Sequence, residues 1–295
     1  MNIIRMTGGL GNQMFQYALY LQFKSMGIDC YFEDFSEYEG HDNARPIQLS
    51  AFGIEYPKVL MKDYYRIRDA HPDIFHKVKR KLLGKHRRDY NEAFVGFDEE
   101  VLKCDEYYIC GFFQSEKYFK SVKEEVLKAF TFTPEVVSEA NKIAASLGLP
   151  LTDGRMPDNS VSLHIRRGDY LAYSNVYGDI CTDEYYDKSV EYIKERIGQV
   201  ELYIFSNDTA WSKEWISRYT QNGIKCYVIE GTDDNNGYID MYLMSCCHHH
   251  IVANSSFSWW GAYLNAREDT ITCAPGRWLN NHDVEDIYTE SMVRI

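Results

Sequence analysis

The sequence predicts an α/β protein built as two Rossmann-like units that face a cleft. Three observations carry this. Residues 156–295 alternate strand-like and helical patterns five times, the signature of a parallel doubly wound sheet. The chain opens the same way, with a strand, a glycine turn, a helix and a second strand inside its first 33 residues. Between the halves, residues 149–159 hold two of only seven prolines, which marks them as a linker. The expected division is therefore 1–155 and 156–295.

In chain order, residues 3–6 form a short apolar run, Gly8-Gly9-Leu10-Gly11-Asn12 a tight turn, and 13–25 a helix. Gly27 ends that helix at a position where glycine is favoured. A strand is predicted at 30–32, and residues 36–100 are Tyr-rich and basic without sustained periodicity. A strand at 107–111 and helices near 116–130 and 134–147 complete the first half. In the second half, strands are predicted at 161–165, 202–205, 225–229, 250–253 and 270–273. Helices fall between them at 183–197, 210–219, 238–246 and 257–266. The first of these carries Tyr186, Val190, Ile193 and Ile197 on one face.

Composition excludes several classes. The chain has 295 residues, 45% of them hydrophobic, with 32 Lys and Arg against 44 Asp and Glu, a formal charge of −12. A general nucleic-acid binder would need a basic face, so nucleic acid is not an expected partner. Eight cysteines with no CxxC pair, several inside apolar runs, suit a reduced, cytoplasmic setting. No stretch approaches the ~20 apolar residues of a membrane span, and the N-terminus has no apolar signal region. Residues 58–88 break the acidic trend with eleven Lys and Arg against three Asp. They suit either a patch that meets anionic lipid or an acidic partner, or a solvated loop or helix face.

In open parallel sheets ligands bind beyond the carboxyl ends of the strands. The residues there are Thr7-Gly8-Gly9-Leu10-Gly11-Asn12, Arg166-Arg167-Gly168-Asp169, Ser206-Asn207-Asp208 and Asn254-Ser255-Ser256-Phe257. Unpaired N–H groups at a helix start seat phosphate, Ser255 and Ser256 add hydroxyl donors, and an Arg fork binds a diphosphate bidentately. Gly9 and Gly11 let backbone approach a ligand closely. Each signal has a plainer counterpart. A lone glycine turn is usually only a turn, and this one is neither GxGxxG nor a Walker loop. His248-His249-His250 suggests a metal, but successive strand side chains point apart. Trp259-Trp260 suits core packing as well as a ligand platform.

Several motifs resemble those of the α-1,2-fucosyltransferases, glycosyltransferase family 11. They are the run from Gly8 through Gln13-Met14-Phe15-Gln16-Tyr17-Ala18, His164-Ile165-Arg166-Arg167-Gly168-Asp169-Tyr170, and Phe205-Ser206-Asn207-Asp208 with Trp211-Ser212-Lys213. A fourth runs from Asn254 through Trp259-Trp260-Gly261-Ala262-Tyr263-Leu264, and Gly111-Phe112-Phe113-Gln114-Ser115 is similar to a run common in bacterial members.

The resemblance implies a GT-B glycosyltransferase that moves L-fucose from GDP-β-L-fucose to the 2-hydroxyl of a terminal β-galactoside, with inversion to an α linkage. It implies bacterial surface polysaccharide or O-antigen synthesis, no divalent metal and no cofactor. GDP-fucose and a galactose-terminated oligosaccharide are the expected partners, with peripheral membrane contact through 58–88. The 1–155 unit is expected on the acceptor side and the 156–295 unit on the GDP-sugar side. In site terms, Arg166 stabilises the leaving diphosphate, while Ser255, Ser256 and the Phe257 amide hold it. His164, Ser206, Asp208, Asn254, Gly9 and Gly11 join the donor site, and Asp240 reads guanine. Asn12 contacts fucose or acceptor near the reacting carbon. Asp169 is the carboxylate nearest the phosphate, as base or as a group orienting Arg166. Alternatives are a GDP-sugar transferase of other donor or regiochemistry, and a non-catalytic carbohydrate-binding protein. An NAD-type oxidoreductase is disfavoured by the missing fingerprint.

Overall fold

The computed structural model describes residues 1–36, 46–93, 96–166, 174–265 and 267–295. It divides into two compact units, Met1–Ser50 with Ile54–Ala129, and Ala51–Gly53 with Phe130–Ile295.

Unit 1 holds β1 (Asn2–Arg5), α1 (Leu10–Ser25), β2 (Cys30–Glu33), α2 (Met61–Ile67), α3 (Ile74–Leu83), β3 (Asp89–Asn91), β4 (Tyr108–Cys110) and α4 (Lys123–Ala129). Its four strands are parallel in the order β2-β1-β4-β3. Ile3 and Ile4 at the sheet centre are fully buried, as are Met14, Phe15, Ala18 and Leu19 of α1. That spacing is the apolar face of a helix laid on a sheet. Segment 36–100 lacks sequence periodicity, yet contains α2, α3 and β3. These elements are too short for a repeat to register in the pattern, and β3 gains its ladder only by pairing with β4.

Unit 2 holds α5 (Pro134–Ser146), β5 (Ser160–Ile165), α6 (Ser174–Tyr177), α7 (Asp183–Ile197), β6 (Glu201–Ser206), α8 (Thr209–Trp215), α9 (Ser217–Thr220), β7 (Lys225–Val228), α10 (Tyr238–Cys246), β8 (His249–Ile251), α11 (Ser256–Tyr263), β9 (Thr272–Ala274) and β10 (Met292–Arg294). All six strands are parallel, in the order β10-β9-β8-β5-β6-β7. α7 spans the residues its periodicity predicts. Thr182 caps its start by accepting from the Tyr185 N–H, Gly198 closes it at φ +87°, and Tyr185, Tyr186, Val190 and Ile193 are buried. The helix expected at 210–219 is two short ones that meet at Ile216. β10 goes unforeseen because three residues carry no alternation of their own.

The units divide in the chain at Ala129–Phe130, earlier than the proline-containing segment near 155. The reason is α5. Its Ala140 and Ala144 pack into the same apolar cluster as Tyr242, Leu243 and Met244 of α10, so the helix belongs to unit 2.

Candidate functional site

Because β8, β5, β6 and β7 are parallel neighbours, their carboxyl ends share one edge of the unit 2 sheet. Ile165 pairs with Ser206 across β5 and β6, so the residues after both strands emerge side by side. Arg166 follows Ile165 directly and is half-buried. Arg167, Gly168, Asp169 and Tyr170 lie outside the described residues.

His164 is buried at the end of β5. Its carbonyl accepts from the Tyr186 hydroxyl at 3.0 Å, and its ring centroid lies 5.8 Å from that of Phe257. Phe257 also closes on the start of α10, since a Cβ on Gly237 would lie 3.7 Å from its Cε2. Asp240, in the first turn of α10, accepts from the Thr232 hydroxyl at 2.9 Å. Burial pushes its carboxyl up to about 7, and the Thr232 hydrogen bond opposes that only in part.

Asn254 is fixed at both ends of its amide, donating to the Trp278 carbonyl at 3.2 Å and accepting from the Cys181 thiol. Ser255 caps α11, its hydroxyl oxygen accepting from the Phe257 N–H at 3.3 Å. The Phe257 amide expected on a diphosphate is thus engaged by the cap. Asp208 likewise caps α8 by accepting from the Trp211 N–H at 3.1 Å, and the Ser206 oxygen accepts from the Asp208 N–H. A serine hydroxyl that accepts in this way keeps its proton to donate. The edge therefore gathers Arg166, the hydroxyls of Ser206, Ser255 and Ser256, the Asp208 carboxylate that caps α8, and a further carboxylate at Asp240 in α10. An anion suits the donors and an N–H-rich base suits the Asp240 carboxylate.

The carboxyl edge of the unit 1 sheet is wired differently. Gly9 caps α1 with its carbonyl accepting from the N–H groups of Asn12 and Gln13. Gly11 is buried one position inside the helix. Gly8 sits at φ +78°, and a Cβ there would fall 2.6 Å from Asn12 Nδ2, so the position demands glycine. Asn12 Oδ1 accepts from Gln114 Nε2 at 2.7 Å. Gln13 and Gln16 are buried and hold the surrounding loops. Gln13 donates to the carbonyls of Gly8 and Pro46 and accepts from the Gln48 N–H. Gln16 accepts from the Thr7 N–H and donates to the Gly111 carbonyl.

Two carboxylates here escape the sequence reading. Glu92 accepts from the N–H groups of Phe112 (2.7 Å) and Phe113 (3.0 Å), while Phe113 itself adopts φ +56°. Burial pushes the Glu92 carboxyl up to about 7, against the pull of those two hydrogen bonds. Glu92 thereby shapes the turn that presents Gln114 to Asn12. Glu33 is fully buried at the end of β2 and accepts from Tyr108, from Ser36 twice and from the Phe35 N–H. The only signal for Glu33 is a carboxylate closing an apolar strand. Glu92 lies in the segment without periodicity and gives none.

The three histidines bind protein rather than converge. His248 Nε2 lies 2.7 Å from Asp269, His249 Nδ1 accepts from the Ile271 N–H, and His250 lies between Ser162 and Asn265. Burial pushes His250 down to about 3 and His249 to about 4. Trp259 and Trp260 are fully buried core residues. A cavity of about 710 Å³, lined by Arg155, Asp158, His248, Arg267 and Asp269, opens near the starts of β5 and β8, away from the carboxyl edge. Among its lining cations, Arg267 pairs with Asp158 at 3.2 Å.

Comparisons with known proteins agree with this layout. The sequence model of glycosyl transferase family 11 matches residues 70–294. An α-1,2-colitosyltransferase of Escherichia coli is 32% identical, over 99% of this chain and 98% of that protein. The galactoside α-(1,2)-fucosyltransferase 2 of Gorilla gorilla gorilla is 28% identical, over 92% of this chain and 71% of that protein. A crystal structure of POFUT1 in complex with GDP-fucose shares the fold with a TM-score of 0.50 at 12% identity, covering 93% of this chain and 98% of that one. The chain belongs to glycosyltransferase family 11 and has the two-unit parallel α/β architecture of the GT-B fold.

Proposed function

We infer that this glycosyltransferase moves L-fucose from GDP-β-L-fucose to the 2-hydroxyl of a terminal β-galactoside, inverting the anomeric centre to an α-1,2 linkage. The observation that carries the reading is the donor-rich edge at Arg166, Ser206, Ser255 and Ser256 beside a separate carboxylate at Asp240. A nucleoside diphosphate needs such a division. The diphosphate takes the cation and hydroxyls, and guanine offers its N1 and N2 protons to the Asp240 carboxylate.

Cleaving the anomeric C–O bond places negative charge on departing GDP while the sugar gains oxocarbenium character. Arg166, which follows β5 directly, stabilises that charge with its planar guanidinium fork as the bond breaks. His164 lines the nucleotide side. Asn12, held by Gln114, serves fucose or the acceptor, and the galactose 2-hydroxyl attacks the face opposite GDP, its proton passing to Asp169 as base or directly to solvent. Leaving-group stabilisation dominates in this mechanism, and no metal or cofactor takes part.

A second reading has its own support, the 32% identity to an α-1,2-colitosyltransferase. Colitose is L-fucose without its 3-hydroxyl, so the nucleotide residues would serve either donor. The test is incubation with GDP-fucose or GDP-colitose and a panel of β-galactosides in excess EDTA, with products identified by mass and linkage NMR. An α-1,2-fucosylated product is expected. Turnover with GDP-colitose alone would move the assignment to the second reading. GDP binding without product from either donor would overturn both sugar assignments, and loss of turnover in EDTA would overturn metal independence.

A further inference from the structure

Helix α3 is amphipathic in the wrong direction for a protein surface. At about 100° per residue, Ile74, Phe75, Val78 and Leu82 fall on one arc roughly 100° wide. These four are 79%, 73%, 51% and 77% exposed, Leu83 is 65% exposed, and no residue of the helix is buried. Opposite the arc, His76 and Arg80 are the half-buried positions. His76 stacks on His71 and bonds Asp73, which caps the helix, while Arg80 donates to the His71 carbonyl. The polar side of α3 thus bonds the turn at 71–73 that leads into it, and its apolar side is turned out.

This is not ordinary scatter of surface apolar groups. Eight large hydrophobic residues are exposed among the described residues, and seven of them lie between Leu60 and Leu83. Cations border the arc on both sides, Lys79 on one and Lys77 and Lys81 on the other. Lys85, Arg87 and Arg88 follow, and residues 81–88 are all exposed. In a chain of formal charge −12, this concentration of cations is local.

We propose that α3 and the basic residues following it dock this protein, in the plane of the surface, onto a bilayer containing anionic phospholipid. An apolar stripe between two rows of lysines matches acyl chains flanked by anionic headgroups, with the lysine stems lying along the boundary. A second copy of the chain is a poor occupant, because pairing stripe to stripe brings lysine rows against each other. The contact is peripheral, since no helix among the described residues is long and apolar enough to cross a membrane.

The test is flotation of the full chain with vesicles of phosphatidylcholine alone or mixed with phosphatidylglycerol. Binding is expected to the mixed vesicles only, and to weaken with added salt. Changing Lys77, Lys79 and Lys81 to Glu should lower partitioning at least ~100-fold. Changing Ile74, Phe75 and Leu82 to Ser should lower it ~10-fold or more. Both variants should keep the wild-type melting temperature, because the altered side chains are largely exposed and the ring contact of Phe75 is with His76 of the same helix. Equal flotation with neutral vesicles, or partitioning unchanged in both variants, would overturn the proposal. So would concentration-dependent dimerisation abolished by the Ser changes in a chain that never floats, which would make the stripe a self-interface.

Discussion

The carboxyl edges of the two sheets start from the same backbone plan and end with opposite chemistry. In each, a strand runs into a turn that opens a helix, α1 in unit 1 and α11 in unit 2. The unit 2 edge presents a cation and hydroxyls, and its caps are short serine and aspartate side chains. Around α1 at the unit 1 edge the side chains are mainly amides. Gln13, Gln16 and Glu92 spend their hydrogen bonds on loop backbone and leave Asn12 and Gln114 as the presented pair. A helix start is therefore not a phosphate site by geometry alone. The side chains around it decide, and at the unit 2 edge the helix start has Arg166 and serine hydroxyls for neighbours, whereas α1 is surrounded by amides.

The sharpest way to break that contrast is Arg166→Ala. Turnover is expected to fall ~100-fold or more, as on loss of a preorganised oxyanion donor. Arg166→Lys should recover little of it, because an ammonium lacks the fork. Near-normal turnover in a folded Arg166→Ala protein would remove the unit 2 edge as the leaving-group site.

Asp240 supplies the next largest effect, through pH. Its carboxyl titrates at about 7, and only the ionised form accepts both guanine protons. GDP affinity, followed by calorimetry, should level off above that value and fall as pH drops through it, approaching ~10-fold per pH unit for a single proton. Asp240→Asn should bind more weakly and lose the slope. A wild-type profile as flat as the variant's would count against a guanine contact.

Gly8→Ala probes the other edge. The added Cβ meets Asn12 Nδ2 at 2.6 Å in a backbone conformation of positive φ, which costs ~1–3 kcal/mol. The melting temperature should fall, and kcat should drop with the KM for GDP-fucose nearly unchanged. An effect confined to donor KM would show that the two edges do not divide the work.

The smallest effect concerns Glu92. Its carboxyl is raised from an ordinary 4.5 to about 7, so its contribution to stability is complete below 4.5 and is lost as pH rises through 7. Thermal unfolding of Glu92→Gln should show a shallower decline across that window. The decline should not vanish, because Asp240 titrates there with the same sign.

How much of this was legible beforehand varies by region. The strand ends holding His164, Ser206 and Asn254 followed from strand–helix alternation, because each unit 2 strand carries a recognisable apolar run. The helix in 183–197 matched residue for residue, since its cap, apolar face and terminal glycine all agree. Segment 36–100 was opaque. Its helices have seven and ten residues, and α3 reads as a polar stretch until its apolar residues are seen on the outside.

By itself, the sequence determined the parallel α/β plan, the helix-opening turns at Gly8 and Asn254, and the motifs that place the chain in its family. These are local properties, set by periodicity and by residues within a few positions of one another. Only the tertiary structure decided that α5 belongs to unit 2, that Glu92 shapes the turn presenting Gln114 to Asn12, and that α3 faces outward. Each of those depends on which distant segment fills the remaining hydrogen bonds or covers the apolar face. Asn12 and Gln114, 102 positions apart in the chain, leave no local trace of such a choice.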